Sequence, residues 1–213
     1  MFLNPIGRGG PARTFSIEYL IVGSGGSGAA GLIPGNDNRG SGGSAGQVLQ
    51  GNFLGGASGT LQITIDNPGG ATFGPAGTGA PGGPASVVGS GSYSSVNLIA
   101  AGGAAGTGYR QFGTGADITS SISGTSQRYA VPGPPSNNTN FPPPPPFLGS
   151  GGMGGSGLGG NNPVSASGTK GVVILRYLDI YPVASFSPPS AATYTNTGGF
   201  RIYQFTSTGQ LIF

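Results

Sequence analysis

Proton transfer, nucleophilic attack and metal ligation have few carriers in this chain. Its acids are Glu18, Asp37, Asp66, Asp117 and Asp179, and it contains neither His nor Cys. The commonest general base and imidazole ligand are therefore missing, together with thiolate nucleophiles, disulfides and Cys-based metal sites. The five carboxylates lie far apart, with no E-x-x-E or D-x-D spacing. A catalytic set would need Ser or Thr beside Lys170, or a carboxylate pair assembled by the fold. Lys170 sits just before an apolar run, where a solvated lysine is ordinary. Glu18 sits inside another run, where exposure or pairing with an Arg is expected. Asp37 and Asp117 lack the surrounding oxygen ligands that calcium requires. The reading is that the chain is not an enzyme, with no catalytic and no metal residues.

One glycine motif calls for a test. Gly23, Gly25 and Gly28 match G-x-G-x-x-G directly after a strand-like run. A dinucleotide site needs a helix next, its N-terminus facing the pyrophosphate. The segment beyond the motif, LIPGNDNRGSGGSAG, cannot form a helix of useful length. In a chain with 47 Gly such a match arises by chance, and no cofactor is expected.

The elements that must position any functional residue are short. The run FSIEYLIV at residues 15–22 alternates, with Phe15, Ile17, Tyr19 and Ile21 on one face and Ser16, Glu18, Leu20 and Val22 on the other. Further runs are LQITI (61–65), VNLIA (96–100), VVILRY (172–177), FRIYQFT (200–206) and LIF (211–213). All have strand length and β-branched or aromatic residues. No segment carries a helical apolar period. The expected fold is mostly non-helical: short β-strands plus packed glycine-rich polyproline-II segments, with almost no α-helix.

Composition bounds the alternatives. With 47 Gly, 19 Pro and only 6% charged residues among 213, a disordered chain is the first reading. Hydrophobic content of 35% and a net charge of +3 oppose it, because disorder goes with low hydrophobicity and high charge. Eight basic residues against five acidic give no nucleic-acid signal. No apolar run approaches the ~20 residues that span a membrane. The opening MFLNPIGRGG lacks a signal-peptide pattern, so synthesis in a cytoplasm without ordinary export is expected.

Glycine recurs at every third position in several tracts: Gly25, Gly28 and Gly31; Gly40, Gly43 and Gly46; Gly151, Gly154, Gly157 and Gly160. Three is the period of polyproline II. Such helices can bond to one another only if their packed faces are bare, and third-position glycines supply that face. The register breaks too often for collagen. A flexible linker is the simpler reading of such tracts, but six strand-like runs are interleaved with them.

Taken in order, FSIEYLIVGSGGSG, LQITIDNPGG, VNLIAAGGAAG, and GMGGSGLGGNN followed by SGTKGVVILRY resemble the glycine-rich domain of bacteriophage tail fibre and tip adhesin proteins. The resemblance covers residues 13–177. The segment TNTGGFRIYQFTSTGQLIF resembles the hairpin that accompanies such modules, here placed last. It implies a sandwich of packed polyproline-II helices whose variable loops touch a host surface. The organisation read from this is an N-terminal docking arm (1–13), a glycine-rich polyproline-II/β domain (14–177) and a C-terminal β-hairpin segment (178–213). No binding residue carries over by motif.

Recognition is therefore sought in segments outside the tracts. Residues 33–39 and the serine-flanked Tyr93 are two. The longest, residues 109–148, holds Tyr109, Arg110, Phe112, Arg128, Tyr129, Phe141 and Phe147, with the stiff run Pro142 to Pro146 between the last two rings. These seven are the candidate receptor- or partner-binding residues. The expected function is a virion fibre or adhesin component presenting aromatic and polar loops to a host cell-surface glycan or outer-membrane protein. It would contact other virion proteins, with a homo-oligomer, for example a trimer, as a further expectation. The alternative is a purely architectural virion protein, a head or tail decoration or connector. A third, an ice- or surface-binding face, would need a regular Thr/Ala repeat that the tracts lack.

Overall fold

The structure is a computed structural model and describes residues 14–31, 39–56, 58–73, 77–108, 110–136, 147–155 and 164–213. Among them there is no helix. Twelve strands form three antiparallel sheets. In chain order they are β1 (Phe15–Val22), β2 (Val48–Gly55), β3 (Gly59–Ile65), β4 (Ala85–Gly91), β5 (Asn97–Ala100), β6 (Ile118–Ser120), β7 (Gln127–Tyr129), β8 (Val172–Leu178), β9 (Ser185–Ser187), β10 (Ala192–Thr197), β11 (Phe200–Phe205) and β12 (Gly209–Ile212). The first sheet has the order β10-β11-β8-β1-β2 and the second β5-β4-β3-β12-β9, while β6 and β7 pair alone.

The two large sheets close over one core. Ile17, Ile21, Val173, Leu175 and Tyr203 from the first meet Leu61, Ile63, Val87 and Leu211 from the second. Strand β3 alternates as a one-sided strand should, with Leu61, Ile63 and Ile65 buried and Gln62 and Thr64 outward. Strands β1 and β8 are buried on both faces. Their second face, Leu20, Val22, Val172 and Ile174, packs against Ile122, Tyr129 and Ala130. That explains why VVIL reads as an unbroken apolar run. Tyr19 is half-buried, stacked against Phe53 with centroids 6.0 Å apart. Tyr93 is fully buried in the main core and donates its hydroxyl to the Gly56 carbonyl at 2.7 Å. It is a core anchor rather than part of a surface loop.

The stretch from 178 onward, expected as a hairpin of its own, contains one: β10 and β11 are joined through Gly198 and Gly199, both with positive φ, the requirement of a type I′ turn. Yet β11 pairs with β8 in the first sheet, and β12 with β3 in the second. The C-terminal strands thus help build both sheets.

Between the strands the glycine tracts form a hydrogen-bonded array with a period of three. N–H groups of Gly23, Gly26 and Ala29 donate to carbonyls of Gln47, Ser44 and Ser41 at 2.9–3.0 Å. Those of Ser24, Ser27 and Ala30 donate to Gly83, Ala80 and Gly77, and those of Gly25 and Gly28 to Thr169 and Ala166. The same segment accepts from Gly103 and Gly106, from Gly152 and Gly155, and from Gly69. It is therefore surrounded by other chain segments and bonded to each. Residues 40–46 repeat the pattern, with Gly40, Gly43 and Gly46 donating to Gly155, Gly152 and Gly149. The contacts are too close for a side chain. A Cβ on Gly25 would overlap the Ser150 carbonyl, one on Gly28 that of Met153, one on Gly151 that of Gly43, and one on Gly154 that of Gly40. Gly31 is buried. Gly157 and Gly160 lie outside the described residues, as does the arm 1–13.

Candidate functional site

Residues 110–136 do not form one projecting arm. Their two ends belong to the glycine array. The Gln111 and Thr114 carbonyls accept from Gly42 and Ala45, at 2.9 and 2.7 Å, while Ser41 and Ser44 hydroxyls receive the Gln111 and Thr114 N–H groups. On the return, Gly113 donates to Gly133 and Gly133 to Gly43, each at 2.9 Å. Only the middle, the β6–β7 hairpin, leaves the array. It lies over the outer face of the first sheet because Ile122 and Tyr129 have apolar partners there.

The backbone of this insert is strained at its joints. Among the described residues, the three non-glycine positions with left-handed φ all fall here: Arg110 at 54°, Asp117 at 44° and Ala130 at 56°. Asp tolerates that region, whereas Arg and Ala cost about 1–2 kcal/mol each. Ala130 is held there by its N–H on the Leu148 carbonyl and its own carbonyl under the Asp117 N–H, both 3.0 Å. Such outliers concentrate where a fold fixes a functional loop.

Arg128 organises the exposed side. Its Nε and Nη2 both reach Asp117 at 2.6 Å, one to each carboxylate oxygen, a two-point pairing with fixed geometry. The guanidinium holds the Asp117 carboxyl below the ordinary carboxylate range, chiefly through these hydrogen bonds. The same guanidinium lies 5.6 Å from the centre of the Phe147 ring, within cation–π range. Around Arg128 and Phe147, the residues Thr119, Ser126, Gln127, Tyr129 and Leu148 complete a cleft of about 500 Å³. A smaller hollow of about 210 Å³ contains Phe112 together with Ser41, Ser44, Thr107 and Gln111. Phe112 is 70% exposed.

Of the seven residues singled out in the sequence, the fold brings Arg128, Tyr129 and Phe147 together at one cleft and places Phe112 in a separate hollow. Arg110 bonds through its N–H to the Arg39 carbonyl at 3.1 Å. Tyr129 lines the same cleft; it is 1% exposed, with its ring packed onto the first sheet and its hydroxyl donating to Gln127 Oε1 at 3.2 Å. Tyr109 and Phe141, with the proline run, lie outside the described residues. Asp117, Thr119 and Gln127 are site residues that sequence reasoning missed. Asp117 immediately precedes β6 and Arg128 is the middle residue of β7, and the hairpin pairing brings them together.

Glu18 pairs with Arg176 at 2.7 Å, and among the described residues no three acids gather as a metal site would require. The glycines of the G-x-G-x-x-G match donate their N–H groups to Gln47, Thr169 and Ala166, so those three face carbonyls where a phosphate would need donors. Asp37 lies outside the described residues. Comparison with protein-family models, with curated proteins and with solved structures found no match for this chain.

Proposed function

We propose that this chain is a phage virion fibre or adhesin component: a rigid scaffold of packed polyproline-II helices and β-sheets that offers aromatic and polar side chains to a host surface receptor. The polyproline-II reading rests on the hydrogen-bond period. Three residues per turn point successive N–H groups toward three different neighbours, which is the order in which residues 23–30 donate. The observation that carries the functional reading is where side chains are allowed. Inside the array a Cβ at most glycines would overlap a neighbouring backbone, so specific contacts come from side chains outside it, among them Phe112, Arg128 and Phe147. A scaffold already ordered loses little entropy on binding, and rigid rings beside small polar groups suit adaptable recognition. Catalysis, a resident metal and a cofactor have no part in this reading.

The array also dictates the test. Excising 113–146 would remove Gly113 and Gly133 and so damage the scaffold. The informative perturbation is the double substitution Phe112→Ala and Arg128→Ala in the whole particle. Host adsorption is expected to fall at least about tenfold, the effect of losing one strong contact, with assembly intact. Unchanged adsorption overturns the adhesin reading. Failed assembly with a correctly folded chain favours the architectural one, for which the exposed Ile180 and Val183 offer a subunit contact.

A further inference from the structure

A second groove, which shares no lining residue with those of Phe112 and Arg128, has a composition of its own. It runs along the outer face of the first sheet, between edge strand β2 and the turn that follows β6, and measures about 440 Å³. That is within the ~300–1,000 Å³ range of small-molecule sites. Its floor is a cross-strand row. Asn52 stands opposite Glu18 on one side and Arg176 opposite Glu18 on the other. Gln50, two residues from Asn52, projects from the same face, about 7 Å away. Ser120 and Ser121 form the wall.

Arg176 fixes this arrangement. Its Nε and Nη2 both donate to Glu18 Oε2, at 3.0 and 2.7 Å, and its Nη1 reaches the Ser121 carbonyl at 3.4 Å. Its guanidinium also lies 4.5 Å from the centre of the Phe200 ring. One side chain thus ties the floor to the wall and is itself packed against its neighbour Phe200 on the same face. Because both strong bonds end on Oε2, Glu18 Oε1 is left to accept from a ligand. The amides of Gln50 and Asn52 each offer two donors and an acceptor, and the serine hydroxyls do both.

From this we infer that the groove is a subsite for a neutral saccharide, which deepens the adhesin reading by naming a ligand class. The one cation is neutralised by the one anion, so nothing is left to hold phosphate, sulfate or sialic acid, and Glu18 opposes each of them. The lining is too polar for an apolar ligand. A ring of hydroxyls, each able to donate and accept, matches a carboxylate oxygen, two amides and two hydroxyls. These sit on strands and on a tethered turn, as a preorganised site requires.

The test uses the whole chain on printed oligosaccharides. One set is neutral, ending in glucose, galactose, mannose or N-acetylglucosamine, and the other is sialylated, sulfated or phosphorylated. Neutral glycans are expected to be retained, equally at about 0.05 and about 0.5 M salt, because screening does not touch an uncharged ligand. The Gln50→Ala/Asn52→Ala variant, altered only at exposed positions, should melt like the parent and bind about tenfold more weakly or worse. Retention of acidic glycans alone, retention that falls with salt, or no retention overturns the inference. Retention that survives in this variant but is lost in Phe112→Ala/Arg128→Ala also overturns it, while leaving the adhesin reading intact. Adsorption of whole particles tests that reading separately.

Discussion

Adjacent glycines at 69 and 70 offer the sharpest test of the array. Gly69 is buried, and a Cβ there would overlap the Ala80 carbonyl oxygen and come within 2.5 Å of Ser27 N. Those two atoms are the partners of a 2.9 Å hydrogen bond, so Gly69→Ala drives a methyl group into the bond itself. Gly69 also donates to Gly25 and accepts from Gly168, which prevents the segment from backing away. Opening one buried N–H···O bond costs about 1–3 kcal/mol, and overpacking adds about 1–3 kcal/mol. The sum, about 2–6 kcal/mol, is a large part of the ~5–15 kcal/mol that holds a domain together. At about 2–4 °C per kcal/mol for a chain of this size, melting should fall by at least about 4 °C. Gly70 is exposed, with nothing within 4 Å of a Cβ. Gly70→Ala removes unfolded-state freedom without strain and should leave stability unchanged or raise it by about 0.4–1 kcal/mol. Thermal melts followed by circular dichroism compare the two. If Gly69→Ala melts with Gly70→Ala, the tracts are not a close-packed array and the scaffold argument fails.

Two further outcomes concern the titrating groups. Burial pushes the phenols of Tyr93, Tyr129, Tyr177 and Tyr203 above their ordinary value, so folding favours the neutral form. That contribution is complete below the unfolded value near 10 and is lost as pH rises toward the folded values, at about 1.4 kcal/mol per pH unit for each. Absorbance at 295 nm should show these four of the eight tyrosines ionising only as the chain unfolds above about pH 10. All eight titrating together with native circular dichroism would contradict the burial argument. For Asp117, whose carboxyl Arg128 holds down, the favourable pairing is present above the ordinary carboxylate value near 3.9 and is lost as pH falls through the lower folded one. Carboxyl NMR should place its midpoint below about 3.9 in the parent and higher in Arg128→Ala; equal midpoints would mean that the pair does not form in solution.

The strands legible in the sequence were those whose apolar residues alternate or run unbroken, namely β1, β3, β5, β8, β11 and β12. The others lacked that signal for physical reasons. Strand β2, VLQGNFLG, is an edge strand whose middle is exposed, so Gln50, Gly51 and Asn52 read as a loop. Strand β4 contains Gly89, where a Cβ would strike the Tyr93 backbone; the glycine that makes the strand possible also conceals it. Strand β10, ATYTNT, is again an exposed edge. The bare faces of Gly25, Gly28, Gly151 and Gly154 were legible because period three leaves a mark in one dimension. The division of 110–136 was not, because it depends on which carbonyls Gly113 and Gly133 find across the array. Nor was the row Asn52–Glu18–Arg176, whose members are more than thirty residues apart and meet only through strand register.

The array and the sandwich share their load at a few junctions, and this bears on how the surface can work. Strand β1 ends at Val22 and the chain enters the array at Gly23 without a turn. Strand β8 begins one residue after Gly171, whose N–H is taken by the Ser24 hydroxyl at 2.9 Å. A Cβ on Gly149 would strike Val22, so the two parts interlock where they meet. The hairpin carrying Arg128 is fastened to both: Tyr129 packs onto the sheet, while Val131 donates its N–H to the Ser150 hydroxyl at 3.1 Å within the array. Arg176 adds a third fastening through Ser121. A surface tied at three points cannot follow a partner by bending, so in the proposed binding role affinity would have to come from fit already present in the free chain. Selectivity would then reside in a few outward side chains, which can be exchanged without touching the glycines that hold them in place.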